Sequence, residues 1–232
     1  MHSKRLIPVL LLLLLVFLAV GCGAGRRGVV KASPEGIYHR ANQEYQNGRY
    51  TQAIEYFQKL TDEYPLSELA VLAKIGIGDS HFSKKEYPEA ARVYNEFIFL
   101  HPNNEYLPYA MYQLGLCHYN QLQEIDRDQT ETLKAKIQFE SLITRFPESK
   151  FSFLAQKHLR ESNKRLAERE FYVGLYYFDK KNYQAAVNRF ERIKRDYPNV
   201  GLDHKVDYYL EQTRKHLATR ETKGAGPSKG AD

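Results

Sequence analysis

The side chains best suited to chemistry in this 232-residue chain are two cysteines, eight histidines and a scatter of carboxylates. A metal site needs His, Cys or carboxylate ligands grouped at helical or loop spacing. Here the histidines are dispersed, and no His-Glu-x-x-His occurs. Cys117 and His118 are sequence neighbours, but on a helix they would point about 100° apart. That reads as a buried thiol beside a partly exposed ring. Neither a Gly-x-Ser-x-Gly elbow nor a phosphate-binding loop ending in Gly-Lys-Ser/Thr is present. Gly76-Ile77-Gly78 opens like a dinucleotide-binding string, but the third glycine and a preceding strand are both missing. Nothing singles out a carboxylate pair for acid–base work. The expectation is no catalytic centre, no metal and no cofactor, so the chain should act by binding.

Cys22 has a different context. Lys4 and Arg5 precede an apolar run from Leu6 to Val20, broken only by Pro8. The run falls short of the roughly 20 residues of a spanning helix and fits a secretory signal. It ends in Ala19-Val20-Gly21-Cys22, which resembles a lipoprotein signal, although Ala19 stands where leucine is usual and Leu18 lies one place earlier. The resemblance implies that Cys22 is diacylated and heads the mature chain. The other reading is an ordinary signal peptide with an incidental cysteine. Acyl chains stabilise membrane attachment by about 0.8 kcal/mol per buried methylene. Gly23 in second place implies the outer membrane, by resemblance to lipoprotein sorting in Gram-negative bacteria. With Cys22 acylated, Cys117 is alone and no intrachain disulfide can form.

The formal charge is +6, and removing residues 1–21 takes away Lys4 and Arg5 and no acid, leaving +4. Arg26, Arg27 and Lys31 supply three of those beside the anchor. Acids and bases are interleaved elsewhere, so there is no nucleic-acid footprint. Basic residues near an anchor can meet lipid head groups, at about 1 kcal/mol each, or simply form a solvated linker.

The elements that position these groups follow from an internal repeat. Ala53, Phe57, Pro65; Ala90, Tyr94, Pro102; Ala135, Phe139, Pro147; and Ala186, Phe190, Pro198 share one spacing of four then eight. Tyr64, His101, Phe146 and Tyr197 precede the prolines, and Ala41, Gly78 and Gly174 lie twelve before their alanines. In the third unit Gly115 lies twenty before Ala135, which implies an eight-residue insertion. Alanine and the aromatic at i, i+4 share a helix face. The small residue admits a neighbouring helix, and proline stops the chain eight residues on. Asn47-Gly48-Arg49, Lys84-Lys85-Glu86 and Lys180-Lys181-Asn182 read as turns between a helix A and a helix B. No segment keeps a period of two.

These positions resemble the tetratricopeptide repeat, which implies an all-α, right-handed superhelix of about five helix pairs whose concave face is lined mainly by helix A. His81 and His118 occupy an aromatic site of helix A, and tryptophan is absent. The prolines lie 37, 45 and 51 apart, which suggests an extended helix A in each unit. Between Ser149 and Asp179 there is no proline. One long helix from about Ser149 to Lys180 is expected, bridging the two halves; the alternative is a break near Asn163–Glu168. Asp203 to Leu217 reads as a capping helix with Val206, Tyr209, Leu210, Thr213 and Leu217 on its stripe. The expected organisation is a signal at 1–21, a lipidated linker at 22–34 and repeats one to three at 35–147. The long helix, last repeat and cap occupy 148–217, and 218–232 is a disordered tail.

Local strings narrow the resemblance: Phe97-Ile98-Phe99-Leu100-His101-Pro102-Asn103, Pro108-Tyr109-Ala110-Met111-Tyr112-Gln113-Leu114-Gly115-Leu116, Asp126-Arg127-Asp128-Gln129-Thr130 and Val187-Asn188-Arg189. With a lipid anchor and repeats, the chain resembles the BamD (ComL-type) lipoproteins that assemble β-barrels in Gram-negative outer membranes. The resemblance implies a lipid-anchored, periplasm-facing scaffold without enzymatic activity. Its C-terminal repeats would dock on the POTRA region of a barrel subunit, alongside other assembly lipoproteins. Its N-terminal repeats would offer a groove to unfolded outer-membrane proteins. It further implies that Arg189 contacts an acid of the barrel subunit; read alone, Arg189 is a solvated helix B charge. The other family considered is an exported repeat adaptor such as the Tol-linked coordinator of cell division. That family usually carries an N-terminal coiled coil, for which the dozen residues after Cys22 leave no room.

Overall fold

The structure, a computed structural model, describes residues 32–224. Cys22, the signal segment 1–21, most of the linker and residues 225–232 lie outside them. Among the described residues there are nine helices and no strand: α1 (Pro34–Gln46), α2 (Tyr50–Glu63), α3 (Glu68–Ser83), α4 (Tyr87–Leu100), α5 (Leu107–Tyr119), α6 (Thr130–Arg145), α7 (Lys150–Asp179), α8 (Tyr183–Asp196) and α9 (Asp203–Gly224). Each packs on the next, α1 also touches α3, and α5 also touches α7. This is a tetratricopeptide-repeat solenoid of four A–B pairs closed by a ninth, unpaired helix.

The repeat residues do what their types demand. Ala53, Ala90, Ala135 and Ala186 are fully buried, as are the rings of Phe57, Tyr94, Phe139 and Phe190. A Cβ on Gly78 would lie 2.7 Å from Tyr94, on Gly115 2.4 Å from Phe139, and on Gly174 2.5 Å from Phe190. In units two to four helix A thus gives its bare backbone as a seat for the ring of its own helix B. Gly76, the first glycine of the dinucleotide-like string, is a seat too, for Phe57 of the preceding unit at 2.4 Å. Both glycines of that string are packing residues.

The helix ends are equally local. Tyr64, His101, Phe146 and Tyr197 leave helical geometry at φ −137°, −127°, −135° and −138°, as a residue before proline must. Ser67 and Ser149 cap α3 and α7, accepting from the N–H groups of Leu69 and Phe151. Pro88 and Pro108 sit in the first turns of α4 and α5, where no N–H is needed.

Lys150–Asp179 is a single uninterrupted helix of 30 residues. Its first half covers α6, with Ala155 in one cluster with Phe139 and Leu142. Its second half covers α8, with Ala167 in one cluster with Phe190 and Ile193. Two expectations need correction. The extra residues of unit three do not lengthen helix A: α5 has 13 residues, and the insertion forms a loop at 120–129. The disordered tail expected from 218 does not begin there, because α9 continues to Gly224. Arg220 on that extension donates to the carbonyl of Lys181 at 3.0 Å and lies over the Tyr183 ring. Composition alone misses such a tertiary anchor.

Candidate functional site: the groove of the A helices

Successive A helices are joined on one face by tyrosine hydroxyls. Tyr45 of α1 lies 3.1 Å from the Ser83 hydroxyl of α3. Tyr109 of α5 donates to Oδ1 of Asp79 on α3 at 2.6 Å, and Gln113 donates to the Tyr109 oxygen at 2.9 Å. Tyr119 of α5 donates to Glu161 of α7 at 2.7 Å. These bonds span 38, 30 and 42 residues of sequence. Together they link the A helices of the four units in order. Tyr94, fully buried on α4, adds a second donor to Asp79 Oδ1 at 2.6 Å from behind.

Burial raises the Asp79 carboxyl above its usual range, against the opposing pull of the Tyr109, Tyr94 and Gln113 donors. Burial likewise lifts the phenols, with the Asp79 charge adding to it for Tyr94 and Tyr109. Tyr119 is pushed up to about 12 by burial and by its bond to Glu161. These hydroxyls stay protonated, so they remain donors that hold the two carboxylates in place.

Beside them lies an aromatic floor. Tyr109 meets Phe151 edge-on at 5.4 Å, Tyr112 lies 5.9 Å from Phe151, and His158 stacks on Phe139 at 5.6 Å. Nδ1 of His158 is buried without a hydrogen bond, 3.7 Å from Glu161. Desolvation depresses its pKa, so the ring is neutral at pH 7 and behaves as an aromatic surface. Leu154 is exposed nearby on α7. Ring faces with fixed carboxylate acceptors suit an extended polypeptide better than a small reactive substrate. The groove-side tyrosines join the A helices, which no short-range pattern reveals.

The 120–129 loop closes over the middle of α7. Arg165 donates to the Gln123 carbonyl through two guanidinium nitrogens, and Arg169 donates to that of Ile125 at 3.1 Å. Within the Asp126–Thr130 string, Asp128 accepts from the Thr130 N–H at 2.8 Å, and Gln129 donates to the Glu124 carbonyl at 2.8 Å. That string builds the entry to α6.

The other flagged residues are dispersed. Cys117 is fully buried and its thiol is pushed up to about 12, first by burial and then by the Asp79 charge. His118 faces away and meets Glu131 at 2.7 Å; His81 meets Glu86 at the same distance. Both histidines tie a helix A to the start of its helix B. Among the described residues no group of three or more His, Cys, Asp or Glu is placed to hold a metal ion. No described helix is long and apolar enough to cross a membrane.

Arg189 lies on α8, far along the chain from the groove. It is not a free charge: it bonds Glu170 of α7 at 3.0 Å, and Arg192 bonds the same carboxylate at 3.2 Å.

Comparison with known proteins agrees with this architecture. The YfiO family profile, described as an outer membrane lipoprotein, matches residues 30–225. The outer membrane protein assembly factor BamD of Rickettsia prowazekii is 32% identical over 173 residues, covering 75% of this chain and 69% of that protein. BamD of Haemophilus influenzae is 26% identical, covering 92% and 85%. BamD of Neisseria meningitidis serogroup B is 28% identical, covering 80% and 73%. A solenoid whose repeats, long helix and closing helix all fall within one matched span leaves a single assignment: the chain belongs to the YfiO family of outer membrane lipoproteins, together with the BamD assembly factors.

Proposed function

We propose that this protein is a scaffold of the outer-membrane β-barrel assembly machinery, anchored through acyl chains on Cys22 and facing the periplasm. Its N-terminal groove holds segments of unfolded outer-membrane proteins, and its last repeat docks on the POTRA region of a barrel subunit. The observation that carries the reading is the row of tyrosine-joined A helices with its aromatic rings. In a member of a family of assembly factors, aromatic faces and immobilised carboxylates are mounted on packed helices, where little ordering is needed on binding.

Arg189 suits the docking role for an electrostatic reason. Two guanidiniums share the single charge of Glu170, so the cluster keeps a net positive charge that an acid of the partner can meet. The same geometry alters the choice of variant. Arg189→Glu would set a second carboxylate beside Glu170 and disturb the fold as well as docking. Arg189→Ala leaves Glu170 paired with Arg192. Capture of the barrel subunit from solubilised envelopes should fall several-fold for Arg189→Ala at low salt, with an unchanged melting temperature. The coupling is about 0.2–1 kcal/mol if exposed and more if desolvated. Equal capture would remove Arg189 from the interface. The anchor is tested separately: Cys22→Ser should move the protein out of the membrane fraction or leave the signal uncleaved.

A further inference from the structure

Asp79 carries more than its hydrogen-bond network needs. Tyr94 and Tyr109 both donate to Oδ1. Oδ2 receives neither hydroxyl, and Asp79 is only half-buried. An asparagine carbonyl would accept the same two bonds with no charge to desolvate, and burying a carboxylate without a cation is unfavourable. Among the described residues, no Lys, Arg or His pairs with Asp79; the groups around it are Tyr94 from α4 and Tyr109 and Gln113 from α5. The network therefore leaves one negative charge in the groove unmatched. A metal ion is a poor occupant, because hard cations take six or more oxygen ligands and the neighbouring hydroxyls already point their protons at Oδ1.

We propose that Asp79 is a cation-selecting subsite of the groove, receiving through Oδ2 a lysine or arginine side chain from a bound extended segment. The inference rests on the reading that the groove binds segments of unfolded outer-membrane proteins, and it adds which side chain they present between α3 and α5. A guanidinium there forms a charge-assisted hydrogen bond in surroundings already partly dehydrated. The aromatic residues of the segment would lie toward Phe151 and Tyr112, further along the same face.

The probes are two fluorescein-labelled decapeptides alternating aromatic and polar residues, identical except that one carries a central arginine and the other glutamine. Both are titrated by anisotropy against the full-length protein and against Asp79→Asn, which keeps an oxygen for both tyrosines. The wild type should bind the arginine peptide about tenfold more tightly at low salt. Asp79→Asn should lose that preference and bind the two peptides alike. Equal wild-type affinities overturn the subsite and leave the groove reading standing; this comparison needs no variant to fold. A preference that survives in Asp79→Asn also overturns it. Failure of both peptides to bind the wild type overturns the groove reading and the subsite together.

Discussion

Units one, two and four pass from helix A to helix B in the same way, and unit three does not. In the three regular units one residue takes left-handed geometry: Gly48 at φ 73°, Lys85 at 63° and Lys181 at 59°. The next N–H then reaches a carbonyl five residues back, from Arg49 to Glu44, Glu86 to His81 and Asn182 to Tyr177, at 2.9–3.0 Å. This is a Schellman closure, complete within the turn itself. Unit three replaces it with the 120–129 loop, pinned by Arg165 and Arg169 from α7. Yet its helices meet as the others do, with Gly115 under Phe139 matching Gly174 under Phe190. The seat and ring specify the pair; the connection is free for other work. In unit three that work is to fix the loop to the helix linking both halves.

The largest expected effects test whether the two kinds of unit share one core. Phe139→Ala and Phe190→Ala each remove a fully buried ring and should cost about 3–5 kcal/mol. Urea unfolding of both variants checks this. A loss at Phe139 less than half that at Phe190 would mean that unit three is the looser pair and that its loop marks a weaker core.

A smaller effect separates connection from core. Hydrogen bonds from charged groups contribute about 1.5–3 kcal/mol when buried, and less where water competes, as at the partly exposed Arg165. Replacing Arg165 and Arg169 together with alanine should therefore cost roughly 1–2 kcal/mol. Amides of the loop should exchange faster while those of α6 keep their protection. Unchanged exchange in the loop would show that the arginines do not hold it. If α6 loosened as well, the connection would be part of the core after all. Lys136 over the Tyr197 ring at 4.9 Å also ties unit three to unit four, so the halves should stay together without the arginines.

The same contrast explains what could be read from the chain. Small residue, alanine, aromatic and proline act through helix faces and the residue before proline, so their spacing is visible in any one unit. The long helix was visible because Ser149 to Asp179 holds no proline. The joining tyrosines were not visible: Tyr45, Tyr109 and Tyr119 each find a partner 30 or more residues away. A tyrosine on helix A looks the same whether it fills the core or spans the groove. The packing role of Gly76 was hidden for a related reason, since its demand for space comes from Phe57 in another unit. The tie of Arg189 to Glu170 was not visible either, because it needs α7 and α8 side by side.

The smallest expected effect concerns the turns themselves. Left-handed geometry disfavours a residue with a Cβ by about 1–2 kcal/mol, and glycine avoids this at the expense of a more disordered unfolded chain, about 0.4–1 kcal/mol. Lys85 and Lys181 occupy such positions in exposed turns. The Arg220 bond at Lys181 goes to its backbone carbonyl, so glycine there keeps it. Lys85→Gly and Lys181→Gly should therefore each stabilise the protein by about 0.5–1 kcal/mol, read as a higher urea midpoint at constant slope. Gly48→Ala should move the midpoint down by a similar amount, since a Cβ there meets no neighbour but inherits the strained φ. Unit three supplies the control. Asn120, which follows α5, is right-handed at φ −73°, so glycine at that position relieves nothing; it adds freedom to the unfolded chain and removes the Asn120 side-chain bond to the Leu116 carbonyl at 2.8 Å. Asn120→Gly should lower the midpoint while the two lysine replacements raise it. If all three shifted in the same direction, turn geometry would not be what distinguishes the regular units from the third.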